Sequence, residues 1–374
     1  MISSHTAPAL RSRLDSLDVF RGMTIAAMIL VSTPGTWNNV YAPLDHAAWN
    51  GWTPTDLVFP FLLFAMGAAV PFALARRHAA AVRASVHVVR RAAILFALGL
   101  VLNAIELPPP LRWATFRIPG VLQRIAVVYV VVAWLTERVS LRGQVAFAIA
   151  ALGGYWAAML LIPVPGIGAG VLTPAGNLAS YLDRVVFGHH MLNPVWDPEG
   201  VLSTIPAIVT ALVGVFAGDW LSQPGPRRAQ WLWLAGLTAM LAGLAWGRVF
   251  PLNKNLWTSS FALFSAGFGA QLLALLHWVV DVRRWRRWST PFKAFGRNPL
   301  AAYFLSVGLD SLLTRWTNGQ GASFKGVIYR ATFVAWLRPA VSAETASLAY
   351  AVVYVVLWAV VLNELHRRRV FLSV

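Results

Sequence analysis

Apolar runs long enough to cross a bilayer recur along the chain, each followed by a short polar or basic stretch. Roughly 20 apolar residues match the hydrocarbon core. On that measure the pattern predicts spans at about Asp18–Ser32, Thr55–Ala75, Ala92–Leu107, Ile118–Thr136, Gly143–Ile162, Gly200–Leu221, Ala229–Arg248, Asn255–Val280, Asn298–Leu313 and Glu344–Leu365. Phe324–Leu337 reads as a short eleventh helix that either spans or lies at the interface. The expected fold is an all-α polytopic membrane protein with about ten (10–11) transmembrane helices, forming one domain over residues 1–374. No soluble domain, low-complexity segment or internal repeat is recognisable. Met1–Ser16 reads as a basic cytoplasmic tail, without the small-residue cleavage pattern of a signal peptide.

Composition and charge sharpen this reading. The chain is 58% hydrophobic and only 12% charged, far from the balance of a soluble domain. Its net charge of +17 would suit a nucleic-acid binder, but the basic residues sit between the apolar runs, where membrane topology requires them. With the N-terminus inside, twenty-one Lys and Arg fall in inner loops and nine in outer ones, and Arg124 lies within a span. Both termini are therefore expected in the cytoplasm. The absence of cysteine excludes disulfides and thiolate metal sites, and no metal is expected. Many of the 18 Trp suit interfacial belts.

The most chemically loaded stretch is Asp45–Pro60, DHAAWNGWTPTDLVFP. Asn50-Gly51 and Thr53-Pro54 are turn signals, and Thr55-Asp56 marks a helix start before an uncharged run from Leu57 to Ala75. A polar turn feeding a membrane-length helix suits irregular backbone lining a cavity. His46 and Asn50 share a face if this piece is helical. Neutral imidazole can shuttle a proton near pH 7 or attack an acyl carbonyl, and Asp56 could fix its tautomer. The alternative is a solvated loop histidine, with Asp56 serving only the helix dipole.

Other polar residues in apolar company are candidates for binding. Arg124 is costly inside a span; it and Gln123 could face a cavity with Glu106 or Asp310, or Arg124 could form an internal ion pair. Asn253, Lys254 and Asn255 crowd an outer loop that could meet a polar acceptor or simply cap a helix, and Asp197 and Glu199 carry the same two readings. On the inner side Lys293, Arg297 and Asn298 near a helix start suit a phosphate-bearing donor. Asn103 is a further polar position on the third span.

The runs LDVFRGMTIAAMILV, LDHAAWNGWTPTDLVFPFLLFAMG, RIPGVLQRIAVVY, DPEGVLSTIPAIV and PLNKNLWTSSFAL resemble the heparan-α-glucosaminide N-acetyltransferase family and its bacterial relatives. The resemblance extends from about Leu14 to the C-terminus and weakens after Ala266. It implies an integral membrane enzyme, here of a bacterial inner (plasma) membrane, moving acetyl from cytoplasmic acetyl-CoA to an amine of an amino sugar or glycan outside. His46 matches the family's active-site histidine, and Asp56 the acidic residue of the next segment. In the mechanism so implied, Arg124, Gln123 and Asn103 line the pantetheine path, Lys293, Arg297 and Asn298 lie nearer the phosphates, and the acceptor enters past Asn50, Asn253 and Lys254. A homodimer is compatible with the resemblance. Where relatives often carry an asparagine after the first span, this chain has Val31-Ser32-Thr33-Pro34-Gly35, so Ser32, Asn38 or Asn39 would have to replace it, or nothing does. The soluble N-terminal extension of the lysosomal relative is also missing from this sequence. Two rival classes fit the same pattern: a secondary transporter, and a membrane O-acyltransferase acting on polysaccharide hydroxyls.

Overall fold

The computed structural model describes residues 14–79, 84–106, 113–319, 321–337 and 340–370. Most of the expected N-terminal tail, up to residue 13, lies outside them. The helices in chain order are α1 (Asp15–Ser32), α2 (Val58–Ala79), α3 (Ala84–Glu106), α4 (Val121–Arg138), α5 (Leu141–Leu161), α6 (Leu178–Phe187) and α7 (Thr204–Ser222). They continue with α8 (Arg228–Trp246), α9 (Ser259–Leu276), α10 (Thr290–Arg297), α11 (Pro299–Arg315), α12 (Phe324–Tyr329), α13 (Ala335–Leu337) and α14 (Ala343–Arg367). Among the described residues there is no β-strand beyond isolated bridges at Val164–Gly168 and Thr317–Ser323.

Seven of the described helical segments are long and apolar enough to cross a bilayer: Pro54–Ala75, Ser85–Glu106, Leu141–Leu161, Thr204–Ser222, Arg228–Trp246, Ser259–Val282 and Ala343–Arg367. The protein is thus a helical membrane protein. The other three expected spans appear as α1, α4 and α11, which have 18, 18 and 17 residues and carry charges within them. Phe324–Leu337 forms one short helical stretch whose middle, Arg330–Val334, is wound as a π-helix. At about 1.5 Å per residue it falls well short of a bilayer core of about 30 Å.

Burial sorts these helices into a centre and a periphery. The most apolar window of Pro54–Ala75 is 83% buried inside the protein, against 17% for that of Arg228–Trp246. Apolar burial between helices gains little when the alternative is lipid, so close backbone approach has to supply the cohesion. Small residues provide it where α2 meets α7. A Cβ at Gly67 would land on the Ala211 carbonyl, and Cβ atoms at Gly214 and Gly218 would land on the carbonyls of Phe64 and Ala68. The α1–α10 contact uses the same device, with Gly22 against Phe292 and Gly296 against Asp18.

Two helices have no counterpart among the expected spans. α6 and α10 are 10 and 8 residues long, too short for any span-length window. α10 turns the chain back immediately before α11, which brings Arg297 beside α1, within 3.8 Å of Asp18.

Candidate active site

The polar stretch before α2 is irregular from Asp45 to Thr53, after one 3₁₀ turn at Ala42–Leu44. His46 and Asn50 therefore do not share a helical face. Thr53 caps a 3₁₀ turn, Pro54–Leu57, and the cap is reciprocal. Asp56 reaches back so that its Oδ2 accepts the Thr53 N–H at 3.0 Å and the Ala47 N–H at 3.1 Å. The Thr53 hydroxyl donates to the Asp45 carbonyl at 2.6 Å. One buried carboxylate thus folds the loop around itself.

Its other oxygen, Oδ1, lies 2.7 Å from His46 Nδ1. A carboxylate can only accept, so Nδ1 carries a hydrogen, and in the neutral ring it is Nε2 that keeps the lone pair. The Asp56 side chain is 2% exposed while that of His46 is 48% exposed, so the ring is held from behind and open in front.

The loop before α9 closes over this assembly. Gly51 N–H donates to the Leu252 carbonyl at 2.8 Å, and Asn253 Nδ2 donates to Asn50 Oδ1 at 3.1 Å. Asn253 Oδ1 accepts the Leu256 N–H, tightening the turn that also holds Asn255. Lys254 Nζ lies 3.2 Å from His46 Nδ1, 3.3 Å from Nε2 and 3.9 Å from Asp56 Oδ1. An atom equidistant from both ring nitrogens and in the ring plane would collide with Cε1, so the ammonium sits over the ring face. Burial pushes the Lys254 pKa below the usual lysine value, with the Asp56 charge opposing.

Two cavities lie end to end. The first, about 450 Å³, is lined by His46 and Lys254 together with Ser32, Glu106, Arg117 and Asp310. The second, about 470 Å³, is largely apolar in its middle and carries Asp18, Arg21, Arg91 and Arg297. Five helices serve both in successive turns. α1 gives Asp18, Arg21 and Ile25 to the arginine cavity and Met28 and Ser32 to the histidine cavity. α11 runs the same way, from Leu300 to Thr314. α3 gives Arg91 and Leu95 to the arginine cavity and Glu106 to the histidine cavity, while α2 and α4 complete both walls. Tyr303 lines both cavities.

The remaining expected site residues are placed as follows. Arg297 lines the arginine cavity, whereas Lys293 is paired with Asp15 at 2.8 Å and buried Asn298 donates to the Val370 carbonyl at 3.3 Å. Arg124, Gln123 and Asn103 line neither cavity. Arg124 donates to the Gly200 carbonyl and Ser203 hydroxyl and lies 5.2 Å over the Trp257 ring. Gln123 donates to the Ile118 carbonyl, and Asn103 to those of Arg117 and Pro119. Gln123 and Asn103 thus satisfy the broken backbone before α4, and Arg124 that before α7, which lipid could not do. Asp197 is engaged by Arg117 through Nε at 3.0 Å and Nη2 at 2.8 Å, and Glu199 accepts from the same Nη2 at 2.6 Å. Glu199 also lines the histidine cavity. Arg117, Arg21, Arg91 and Tyr303 were not singled out by sequence as site residues. The first three show there only as loop charges, and Tyr303 only as part of an apolar run. Among the described residues no group of three or more His, Asp or Glu could hold a metal ion.

Residues 13–135 match a family model described as a domain of unknown function, DUF5009. Human heparan-alpha-glucosaminide N-acetyltransferase is 33% identical over an alignment of 354 residues, covering 79% of this chain and 53% of the human protein. The mouse protein of the same name is 32% identical over 351 residues, covering 78% of this chain and 53% of its own length. The chain thus spans about half the length of the curated relatives it matches.

Proposed function

We propose that the chain is a member of the heparan-alpha-glucosaminide N-acetyltransferase family, to which its similarity points, and that it moves acetyl from acetyl-CoA to an amine of an amino sugar or glycan across the membrane. The observation that carries this reading is the pair of stacked cavities, one carrying Arg21, Arg91 and Arg297, the other His46 and Lys254.

The charge asymmetry of the loops supports ten spans with both ends in the cytoplasm of a bacterial inner membrane. Arg21, Arg91 and Arg297 all belong to the basic-rich loop set, and Arg117, Lys254 and Arg315 to the opposite one. On this reading the arginine cavity opens inward and His46 faces the extracytoplasmic side. The phosphates of acetyl-CoA stay at the three arginines, because several negative charges cannot enter lipid, and the pantetheine arm carries the thioester toward His46.

In the chemical step the amine nitrogen attacks the thioester carbonyl, forming the C–N bond. His46 Nε2 takes the amine proton, while Asp56 holds the opposite nitrogen and orients the ring. Collapse of the tetrahedral species breaks the C–S bond, and the same proton passes to the departing thiolate to give free CoA. Lys254, held against the ring, donates to the developing oxyanion in a site partly shielded from water. Asn50 and Asn253 hold the two loops in register and shape the acceptor's approach.

The test is purified protein with labelled acetyl-CoA, offered amino sugars and neutral sugars in parallel. Label is expected on the amine and lost in His46→Ala, which should still retain CoA. Label on hydroxyls alone would make it an O-acyltransferase. No label and no retained CoA would leave a transporter as the better account.

A further inference from the structure

We propose that Tyr303 is the septum between the two cavities and sets which acyl groups reach His46; this rests on the acetyl-transfer reading above. Tyr303 is the one residue shared by the described linings of both cavities, and it is 8% exposed. The layer around it is apolar. Ile25 and Met28 of α1, Leu62 of α2 with Phe59 at its entrance, and Val121 and Leu122 of α4 change from one lining to the other at the same level. The Tyr303 side chain therefore stands at the boundary between the arginine cavity and the cavity of His46.

The phenol has a second property. The Tyr303 carbonyl accepts from the Ser306 hydroxyl, but the phenol hydroxyl has no hydrogen-bond partner among the described residues. Glu106, Glu199 and Arg117, which line the histidine cavity, are its electrostatic neighbours. A free donor at a constriction, with charged groups beyond it, suits a thioester carbonyl or pantetheine amide drawn past it. Tyr303 acts here as a positioning residue: the ring limits the size of the acyl group, and the hydroxyl registers its carbonyl.

The native chain has no cysteine, which permits a direct test of passage. Ser311 lines the histidine cavity two turns beyond Tyr303. Ser311→Cys in vesicles of known orientation is exposed to a charged thiol reagent applied only from the arginine side. Labelling should be slow with Tyr303 present, rise at least tenfold with Tyr303→Ala or Tyr303→Leu, and stay slow with Tyr303→Phe. Equal labelling in all four backgrounds would overturn the septum.

A ladder of acetyl-, butyryl- and hexanoyl-CoA tests selection. Tyr303→Ala should raise the hexanoyl-to-acetyl ratio of kcat/KM at least tenfold, since each methylene a pocket excludes is worth about tenfold or more. Tyr303→Phe should keep the wild-type ratio but lower kcat for acetyl by about five- to tenfold, the loss expected for one hydrogen bond. An unchanged ratio in Tyr303→Ala would overturn the selective role. Wild-type protein transferring no acyl group at all would instead overturn the acetyl-transfer reading, and the labelling comparison would still decide the septum.

Discussion

His46 Nδ1 and Asp56 Oδ1 are 2.7 Å apart, and the second oxygen of the same carboxylate ties the Ala47 and Thr53 amides into the loop. Asp56 therefore has two separable tasks, setting the imidazole tautomer and shaping the loop. Asp56→Asn keeps the volume but can present an N–H to the ring, favouring the wrong tautomer. An isosteric change of that kind costs about 10⁴ in kcat in the serine protease triad. A loss of about 10³ or more is expected here, with CoA affinity changed only a few-fold because the arginines lie in the other cavity. Single-turnover transfer and equilibrium CoA binding, measured on the same preparation, check both halves. A variant within tenfold of wild-type kcat would remove the tautomer argument.

Arg117 binds Asp197 and Glu199 with side chains that are 15%, 0% and 7% exposed. Burial alone would lower the guanidinium pKa, but the two carboxylates outweigh it and hold it above its usual value. Removing one member of such a cluster leaves unpaired charge in a poorly solvated place, typically about 3–5 kcal/mol. Arg117→Met should lower the melting temperature in detergent by several degrees. Adding Asp197→Asn to that variant should recover part of the loss, because one of the two orphaned charges is then gone. Independent, additive losses in the double variant would contradict a coupled cluster.

The span pattern and the His46 stretch are the legible parts of this sequence, for a common reason. Both depend on neighbours in the chain: a run of apolar residues, or a helix-start signal ten residues from a histidine. The cage around the site depends on partners far apart. Lys254 reaches His46 across 208 positions, and Arg117 reaches Asp197 across 80. Lys254 and Asp197 stand out in the sequence as polar loop residues, but nothing local says which partners they meet, and Arg117 reads only as a loop charge placed for topology. Arg124, Gln123 and Asn103 show the converse, since polar groups inside a span draw attention as ligand contacts while their bonds go to carbonyls of the broken backbone before α4 and α7. Tyr303 carries no sequence signal at all, being one aromatic residue in an apolar helix.

Gly67 tests how the site is held in place. α2 follows directly from the Asp56 turn, and its packing against α7 allows no side chain at this position, because a Cβ would meet the Ala211 carbonyl. In soluble helices Gly→Ala in an interior stabilises by up to about 1 kcal/mol. Here the sign should reverse, since overpacking costs about 1–3 kcal/mol and backbone cannot rotate away as a side chain can. Gly67→Ala should lower both the melting temperature and the yield of folded protein. Gly153, whose Cβ would meet nothing within 4 Å, is the control, and Gly153→Ala should be neutral or stabilising. Equal effects at both positions would show that propensity, not the α2–α7 approach, decides.

Lys254 links activity and stability through one proton. Its pKa is lowered chiefly by burial, so it should lose its proton at a pH where a surface lysine, with a value of about 10.4, still holds it. If the ammonium donates to the oxyanion, turnover should fall on an alkaline limb centred below that value. Lys254→Arg stays charged across the accessible range, so the limb should vanish even though kcat drops from imperfect placement of the larger head. Lys254→Met removes the donor at every pH, with a loss of about 10²–10³ in kcat. Stability should move the other way. A lysine whose folded pKa lies below its unfolded one binds more protons when unfolded, so wild-type stability rises with pH between those two values. Below that window the buried charge is a net cost, and Lys254→Met should melt no lower than wild type at pH 7 while being nearly inactive. A pH–rate profile in which Lys254→Arg keeps the alkaline limb would assign that proton to another group.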